Sequence, residues 1–247
     1  MRAALLLASL LIAVTTHAAN FSGRDLFIPL IGRTPGANGT QWRSDLILSN
    51  RSEHFETTVS LVYDPVVGEP YLQTIHLHPR ATVHLTEFVG THVPLTNSFG
   101  TLQIHSQNAS APVAAHARVY NTGHAAGEFG QVVQAMPVST LPETAWLHGL
   151  IGFRGFRTNV GVANATGTQV SFSLAWYDKH GEPHGSAGMF TVEPYSLYIF
   201  NDIFDAVGME PDEGLSLRIL ASDRVYAYAS VIRNDTGDAY TIAADGD

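Results

Sequence analysis

A nine-residue segment occurs twice in this 247-residue chain, and it limits the folds that the chain can adopt. Residues 42–50 read WRSDLILSN, and residues 156–164 read FRTNVGVAN. Both copies contain an aromatic residue, an arginine, a hydroxyl residue, an aspartate or asparagine, alternating apolar residues and a final asparagine. Apolar residues at every second position are typical of a half-buried β-strand. The repeat therefore predicts one core strand near the start of each of two related domains.

Further matches follow in the same order along the chain, which chance similarity would not produce. They are LIG at 30–32 and 150–152, VSLVYD at 59–64 with LAWYD at 174–178, proline at 79 and 194, and VAAHARV at 113–119 with VYAYASV at 225–231. Self-similarity of this kind indicates an internal duplication. The first copy carries an additional Pro- and Gly-containing stretch at 34–39, which predicts an exposed loop.

Short alternating segments separated by turn residues predict the fold class. Strand candidates include 71–77, 82–86 and 101–106 in the first copy, and 172–176, 196–200 and 215–220 in the second. Turn signals about every ten residues are typical of an antiparallel sandwich. We therefore expect an all-β chain of two tandem antiparallel β-sandwich domains, immunoglobulin-like in class and related by duplication. The domains would span 24–138 and 143–247, with a linker at 139–142.

The first 19 residues have the layout of a secretory signal peptide. Arg2 precedes an apolar run at 3–14, and small residues at 16–19 provide cleavage sites after Ala18 or Ala19. The sequence predicts that the mature chain is secreted or periplasmic, without membrane insertion after the signal is cleaved.

The composition excludes several classes of function. The net charge is -9, whereas a nucleic-acid-binding surface needs clustered lysine and arginine. There are no cysteines, which excludes disulfides, thiolate metal sites and cysteine nucleophiles. We also find no zinc-protease, phosphate-loop or dinucleotide-binding motif. The sequence predicts no enzyme activity and no cofactor.

A resemblance to a known group of proteins rests on structural motifs that cover nearly all of the predicted mature chain. These are LIG, the PGANGT loop, WRSDL, the proline at the fourth strand and VYNTG. Together they resemble exported bacterial proteins with tandem immunoglobulin-like or fibronectin-like β-sandwich repeats. The resemblance implies a fold and a compartment, and it carries no assigned activity.

Histidines provide the candidate chemistry, because the chain contains 12 of them. His76 and His78 are two residues apart and would lie on one face of a strand, with His84 on the next strand. Three imidazoles can bind zinc or copper. The second copy has Thr191 and Glu193 at the equivalent positions. The alternative is a polar sheet face that uses histidine without binding a metal.

Other polar residues are expected to have structural roles. Arg43 and Asp45 would project from one face of their strand, within reach of a charge-assisted contact that clamps the structure, and Arg157 and Asn159 occupy the matching positions in the second copy. A ligand-binding pair is the less favoured alternative. Glu87 and its counterpart Asp202 are expected to cap or orient the turns that follow them. The NDTGD sequence at 234–238 is expected to form a hairpin turn, with a calcium loop as the less favoured alternative.

The leading functional hypothesis is a non-enzymatic binding, adhesion or structural module outside the cytoplasm. Its partner would be a protein or glycan at the cell surface, contacted through loops such as 33–40. Exposed aromatic residues, including Trp42 or Trp176, could stack on sugars or fill the cores. The alternative is a metal-binding protein or metalloenzyme that uses His76, His78 and His84.

Overall fold

A computed structural model describes residues 21–36, 39–125, 127–210 and 213–246 of the chain. It is nearly all β, with 60% strand and 6% helix and with antiparallel sheets, which confirms the predicted all-β sandwich class. The proposed signal peptide lies outside the described residues. The part of the chain that is described contains no helix long and apolar enough to cross a membrane.

Nineteen strands are labelled in chain order. They are β1 (Ser22–Gly23), β2 (Asp25–Pro35), β3 (Gln41–Asn50), β4 (Thr57–Pro65), β5 (Tyr71–Leu77), β6 (Thr82–Leu85), β7 (Ser98–Ser106), β8 (Val113–Asn121), β9 (Phe129–Gln134), β10 (Met136–Pro137), β11 (Thr144–Ile151), β12 (Phe156–Asn164), β13 (Val170–Tyr177), β14 (Pro183–Val192), β15 (Leu197–Phe200), β16 (Glu213–Ala221), β17 (Val225–Arg233), β18 (Ala239–Ala243) and β19 (Asp245–Gly246). Helical turns occur at Phe88–His92, at Val138–Thr140 and in helix α1, Ile203–Ala206.

The first sandwich contains two facing sheets that share one core. Sheet I has the order β5-β4-β7-β2-β10, and sheet II has β6-β3-β8-β9 with β1 beside β8. A short pairing of β2 with β3, at Thr34 and Trp42, joins the two sheets at one corner. Strand β4 shows why the sheets pack, because its residues alternate between buried and half-buried along its whole length. Leu26, Leu46, Leu61 and Ala117, from strands of both sheets, belong to the common core.

The second sandwich repeats the strand pairing of the first. Sheet III has the order β14-β13-β16-β11-β19, and sheet IV has β15-β12-β17-β18. Each pairing of these sheets has a counterpart in the first sandwich, so that β3 between β6 and β8 corresponds to β12 between β15 and β17. A separate apolar core lies between sheets III and IV. The duplication itself, and the domain boundaries drawn from it, remain predictions from the sequence.

Buried side chains at the repeated positions make the same contacts in both sandwiches. The amide of Asn50 donates to the carbonyls of Phe55 and His78, at 2.8 and 3.1 Å. The amide of Asn164 donates to those of Thr168 and Glu193, at 2.7 and 3.1 Å. Each asparagine therefore fixes the end of one sheet to the edge of the facing sheet, which gives a physical reason for the repeated residue.

The two sandwiches meet through a third apolar cluster. Buried members include Phe27 of β2, Leu141 of the connecting segment, and Tyr226 and Tyr228 of β17. The first eight residues of β17 are all buried, because one face covers the second core and the other faces the first sandwich. The hydroxyl of Tyr226 donates to the carbonyl of Gln134 across this boundary at 2.8 Å. The connecting segment therefore lies within an apolar contact between the sandwiches.

Candidate functional site

A cleft of about 730 Å³ lies between the two sandwiches, beside their apolar contact. Both sandwiches contribute to its walls, through β2, β3, β7, β8 and β9 on one side and β12, β15 and β17 on the other. Concave sites of about 300–1,000 Å³ with apolar walls and a few polar groups are typical of small-ligand binding. Size and position make this cleft the leading candidate site.

Aromatic side chains form much of the cleft wall. Trp42 and Phe99 come from the first sandwich, and Tyr198 and Tyr228 come from the second. Trp42 is half-buried and packs against the first core, whereas Trp176 is buried in the second core. The sequence left open whether these tryptophans are available to a ligand or fill the cores. Trp42 lines the cleft, whereas Trp176 fills a core.

Gln131 is a polar residue of the cleft wall whose amide oxygen has no hydrogen-bond partner among the described residues. It lies on β9, is 7% exposed, and its Nε2 donates to the hydroxyl of Ser230 on β17 at 2.6 Å. Its Oε1 is buried and has no hydrogen-bond partner. Leaving a buried acceptor unpaired costs about 1–3 kcal/mol. Because the oxygen is closed off from solvent, a ligand in the cleft would reach it only after the Gln131 side chain turned toward the cleft.

Arg157 and two asparagines complete the polar part of the wall. The Arg157 guanidinium donates to the side chain of Asn234, and burial lowers its pKa, an effect that the nearby Asp202 carboxylate opposes. Asn159 and Asn201 also line the cleft. The polar groups are amides, hydroxyls and one guanidinium, which donate and accept hydrogen bonds without changing protonation near neutral pH.

Part of the stretch predicted as a first-copy loop lines the cleft. Thr34 and Pro35, which end β2, and Gly36 contribute to the wall, while residues 37 and 38 lie outside the described part of the chain. The sequence singled out this loop for its composition alone. Gln131 and Tyr228 carried no such signal, although the apolar character of both faces of β17 is visible in the sequence.

The structure divides the three histidines that the sequence grouped. His76 and His78 lie at an exposed edge of sheet I and share Glu56 as a partner. His84 lies on β6 in sheet II, where its Nε2 is 3.2 Å from Asp45 Oδ2. Among the described residues, the three-residue group that could hold a metal ion contains Glu56, His76 and His78, without His84.

Asp45 lies at the centre of a polar network, but its partners among the described residues do not include Arg43, which the sequence predicted. Its carboxylate accepts from the hydroxyl of Tyr120 at 3.1 Å and from the backbone amide of Glu87 at 2.9 Å. Burial and the Asp45 charge raise the pKa of Tyr120 to about 12. Arg43 is instead 3.8 Å from Glu87, which also pairs with Arg33 at 2.7 Å. Arg33 and Arg43 therefore both approach the carboxylate of Glu87, and we call this group the arginine clamp.

The paired acidic residues occupy strained turns in both sandwiches. Glu87 and Asp202 have positive backbone φ values of 42° and 62°, which residues other than glycine rarely adopt. Asp45 holds the amide of Glu87, and Asn159 holds that of Asp202 at 3.1 Å. Asp202 caps α1 as expected, since its side chain accepts from the amide of Phe204. Glu87 makes no capping hydrogen bond and serves in the arginine clamp.

The hairpin expected at residues 234–238 is confirmed. Strands β17 and β18 pair antiparallel on either side of it, and the amide of Gly237 donates to the carbonyl of Arg233 at 2.8 Å. The Nε of Arg233 donates to Oδ1 of Asp235 at 2.8 Å, so that this carboxylate is part of an ion pair within the turn.

No known protein-family model matches the chain, and no curated protein matches it either. The functional argument therefore depends on the geometry of the sites.

Proposed function

We propose that this chain is a non-enzymatic binding module that acts in the periplasm or outside the cell and holds its ligand in the cleft between the sandwiches. The observation that carries the proposal is the cleft of about 730 Å³ whose wall combines aromatic side chains of both sandwiches, among them Trp42 and Tyr198, with a few polar groups. A concave site of this size and character is typical of ligand binding.

The wall chemistry favours a glycan as the ligand. Flat aromatic side chains offer apolar faces for the C–H surfaces of a sugar ring, and Trp42 and the exposed Tyr198 provide such rings from opposite sandwiches. Gln131, Asn159 and Arg157 offer acceptors and donors for hydroxyl groups. An uncharged, hydroxyl-rich ligand satisfies these groups without bringing an unpaired charge into the cleft.

Titration with a panel of soluble neutral oligosaccharides, followed by calorimetry and tryptophan fluorescence, tests the proposal. Binding in the cleft should alter emission from Trp42, and the Trp42→Phe variant should lose that signal. Trp146→Phe is the matched control, because Trp146 stacks on His148 in the second sandwich, outside the lining of the cleft.

A matched pair of variants isolates the contribution of Gln131 Oε1. Gln131→Met removes the free acceptor and the bond to Ser230, whereas Ser230→Ala removes only that bond. We expect Gln131→Met to weaken binding about tenfold, the value of one hydrogen bond, and Ser230→Ala to weaken it less. Equal losses, or a panel in which no sugar binds the folded protein, would overturn the glycan assignment. A specific protein partner would then be sought in envelope extract.

A further inference from the structure

We infer that Glu56, His76 and His78 form a binding site for one divalent transition-metal ion, with zinc as the expected occupant. This site lies at the free edge of sheet I and does not depend on the proposed cleft ligand. Its ligand atoms all lie within 4.8 Å of one another.

The strand register brings these residues together. Half-buried and exposed residues alternate along β5, which ends at buried Leu77, so that the exposed His76 and His78 project outward from the same face. Strand β4 pairs antiparallel with β5 and aligns Thr57 with Leu77. Glu56, one residue before Thr57, therefore lies beside His78 and diagonal to His76 on the same face. Side chains at such cross-strand positions are within contact distance.

The distances suit a tetrahedral ion. Glu56 Oε2 is 3.3 Å from His76 Nε2 and 3.7 Å from His78 Nδ1. Bond lengths of about 2.0–2.2 Å to zinc place tetrahedral ligands about 3.4 Å apart. The imidazole rings are 5.0 Å apart between centroids and nearly perpendicular, at 87°. Two imidazoles and one carboxylate are an established zinc donor set that leaves a fourth position for water or an external ligand.

A buried residue fixes the backbone on both sides of the site. The amide of Asn50, which is 2% exposed, donates to the carbonyl of Phe55, next to Glu56, and to that of His78 itself. One side chain thus holds two ligand-bearing segments in register. Residues that orient metal ligands in this way contribute to affinity.

The second sandwich has the same frame without the imidazoles. Asn164 makes the corresponding contacts, and Val170 aligns with Val192 as Thr57 does with Leu77. The positions equivalent to Glu56, His76 and His78 are therefore Gln169, Thr191 and Glu193. There the side-chain amide of Gln169 donates to the carboxylate of Glu193 at 2.6 Å. These three positions contain no imidazole that could bind a metal ion.

Calorimetric titration with zinc chloride tests this inference on the chelator-treated chain, purified without a histidine tag. We expect one zinc per chain, with affinity at least about tenfold lower in Glu56→Gln and in His76→Gln. His84→Gln is the matched control, since His84 is an exposed histidine of the first sandwich on the facing sheet. Its affinity should equal that of the unaltered chain.

A gain-of-site variant provides the complementary test. The triple substitution Gln169→Glu, Thr191→His and Glu193→His places the same donor set on the frame of the second sandwich, and it should raise the stoichiometry to two zinc ions. Substoichiometric zinc in the unaltered chain would overturn the inference. A loss of binding in His84→Gln as large as that in His76→Gln would also overturn it, in favour of the histidine trio.

Discussion

The ring of Tyr228 occupies the space that a side chain at Gly161 would need. A Cβ placed on Gly161 would lie 2.2 Å from Cε1 of Tyr228, which is itself 2% exposed. The two residues pair on adjacent strands of sheet IV. Tyr228 lines the cleft and belongs to the contact between the sandwiches, so Gly161 controls the position of a residue with two roles.

Gly161→Ala should therefore displace Tyr228 and lower the free energy of unfolding by about 1–3 kcal/mol, as overpacking of a filled site does. Urea denaturation followed by intrinsic fluorescence measures this change. Gly188→Ala is the control, because a Cβ there has nothing within 4 Å. Equal stability of the two variants would contradict the assigned packing.

Removal of either repeated asparagine should be costly. Asn50→Ala and Asn164→Ala each remove a buried amide that donates to several carbonyl groups, including the buried contacts to Leu77 and Val192, and we expect a loss of about 2–3 kcal/mol in each case by chemical denaturation. The exposed Asn201 serves as the control, and Asn201→Ala should change stability by less than about 0.5 kcal/mol. Asn50→Ala should in addition lower zinc affinity, whereas Asn164→Ala should leave it unchanged.

His116 should make the fold less stable in mild acid. Burial, and the neighbouring His84, lower the pKa of His116 in the folded chain. The unfolded state therefore binds more protons as the pH falls below the ordinary histidine value of about 6.5, and folding stability decreases there. The urea midpoint should fall between pH 8 and pH 5, and it should fall less in His116→Gln. His180→Gln, at an exposed turn, should follow the unaltered chain.

Strand positions were predictable because apolar alternation reflects burial directly. Residues 71–77 were predicted as a strand and form β5 with the same bounds. The pair of His76 and His78 was predictable for the same reason, because residues two apart in a strand share a face. Each of these inferences needs only local sequence.

The third partner of that pair was not predictable, because the sequence does not specify the sheet that each strand joins. His84 follows His78 closely in the chain, yet β6 pairs with β3 in sheet II while β5 pairs with β4 in sheet I. Glu56 reaches the histidines only through the register of β4 with β5. Register between strands depends on turn geometry and packing as well as on periodicity.

Strand β17, with both faces buried, has a consequence for the order in which the chain is completed. As the chain is synthesised, the first sandwich is finished while Phe27 and Phe99 still lack the apolar residues of the second that cover them. Until β17 arrives, those rings remain open to any apolar surface nearby. A surface that covers those rings during synthesis would protect the first sandwich for that interval.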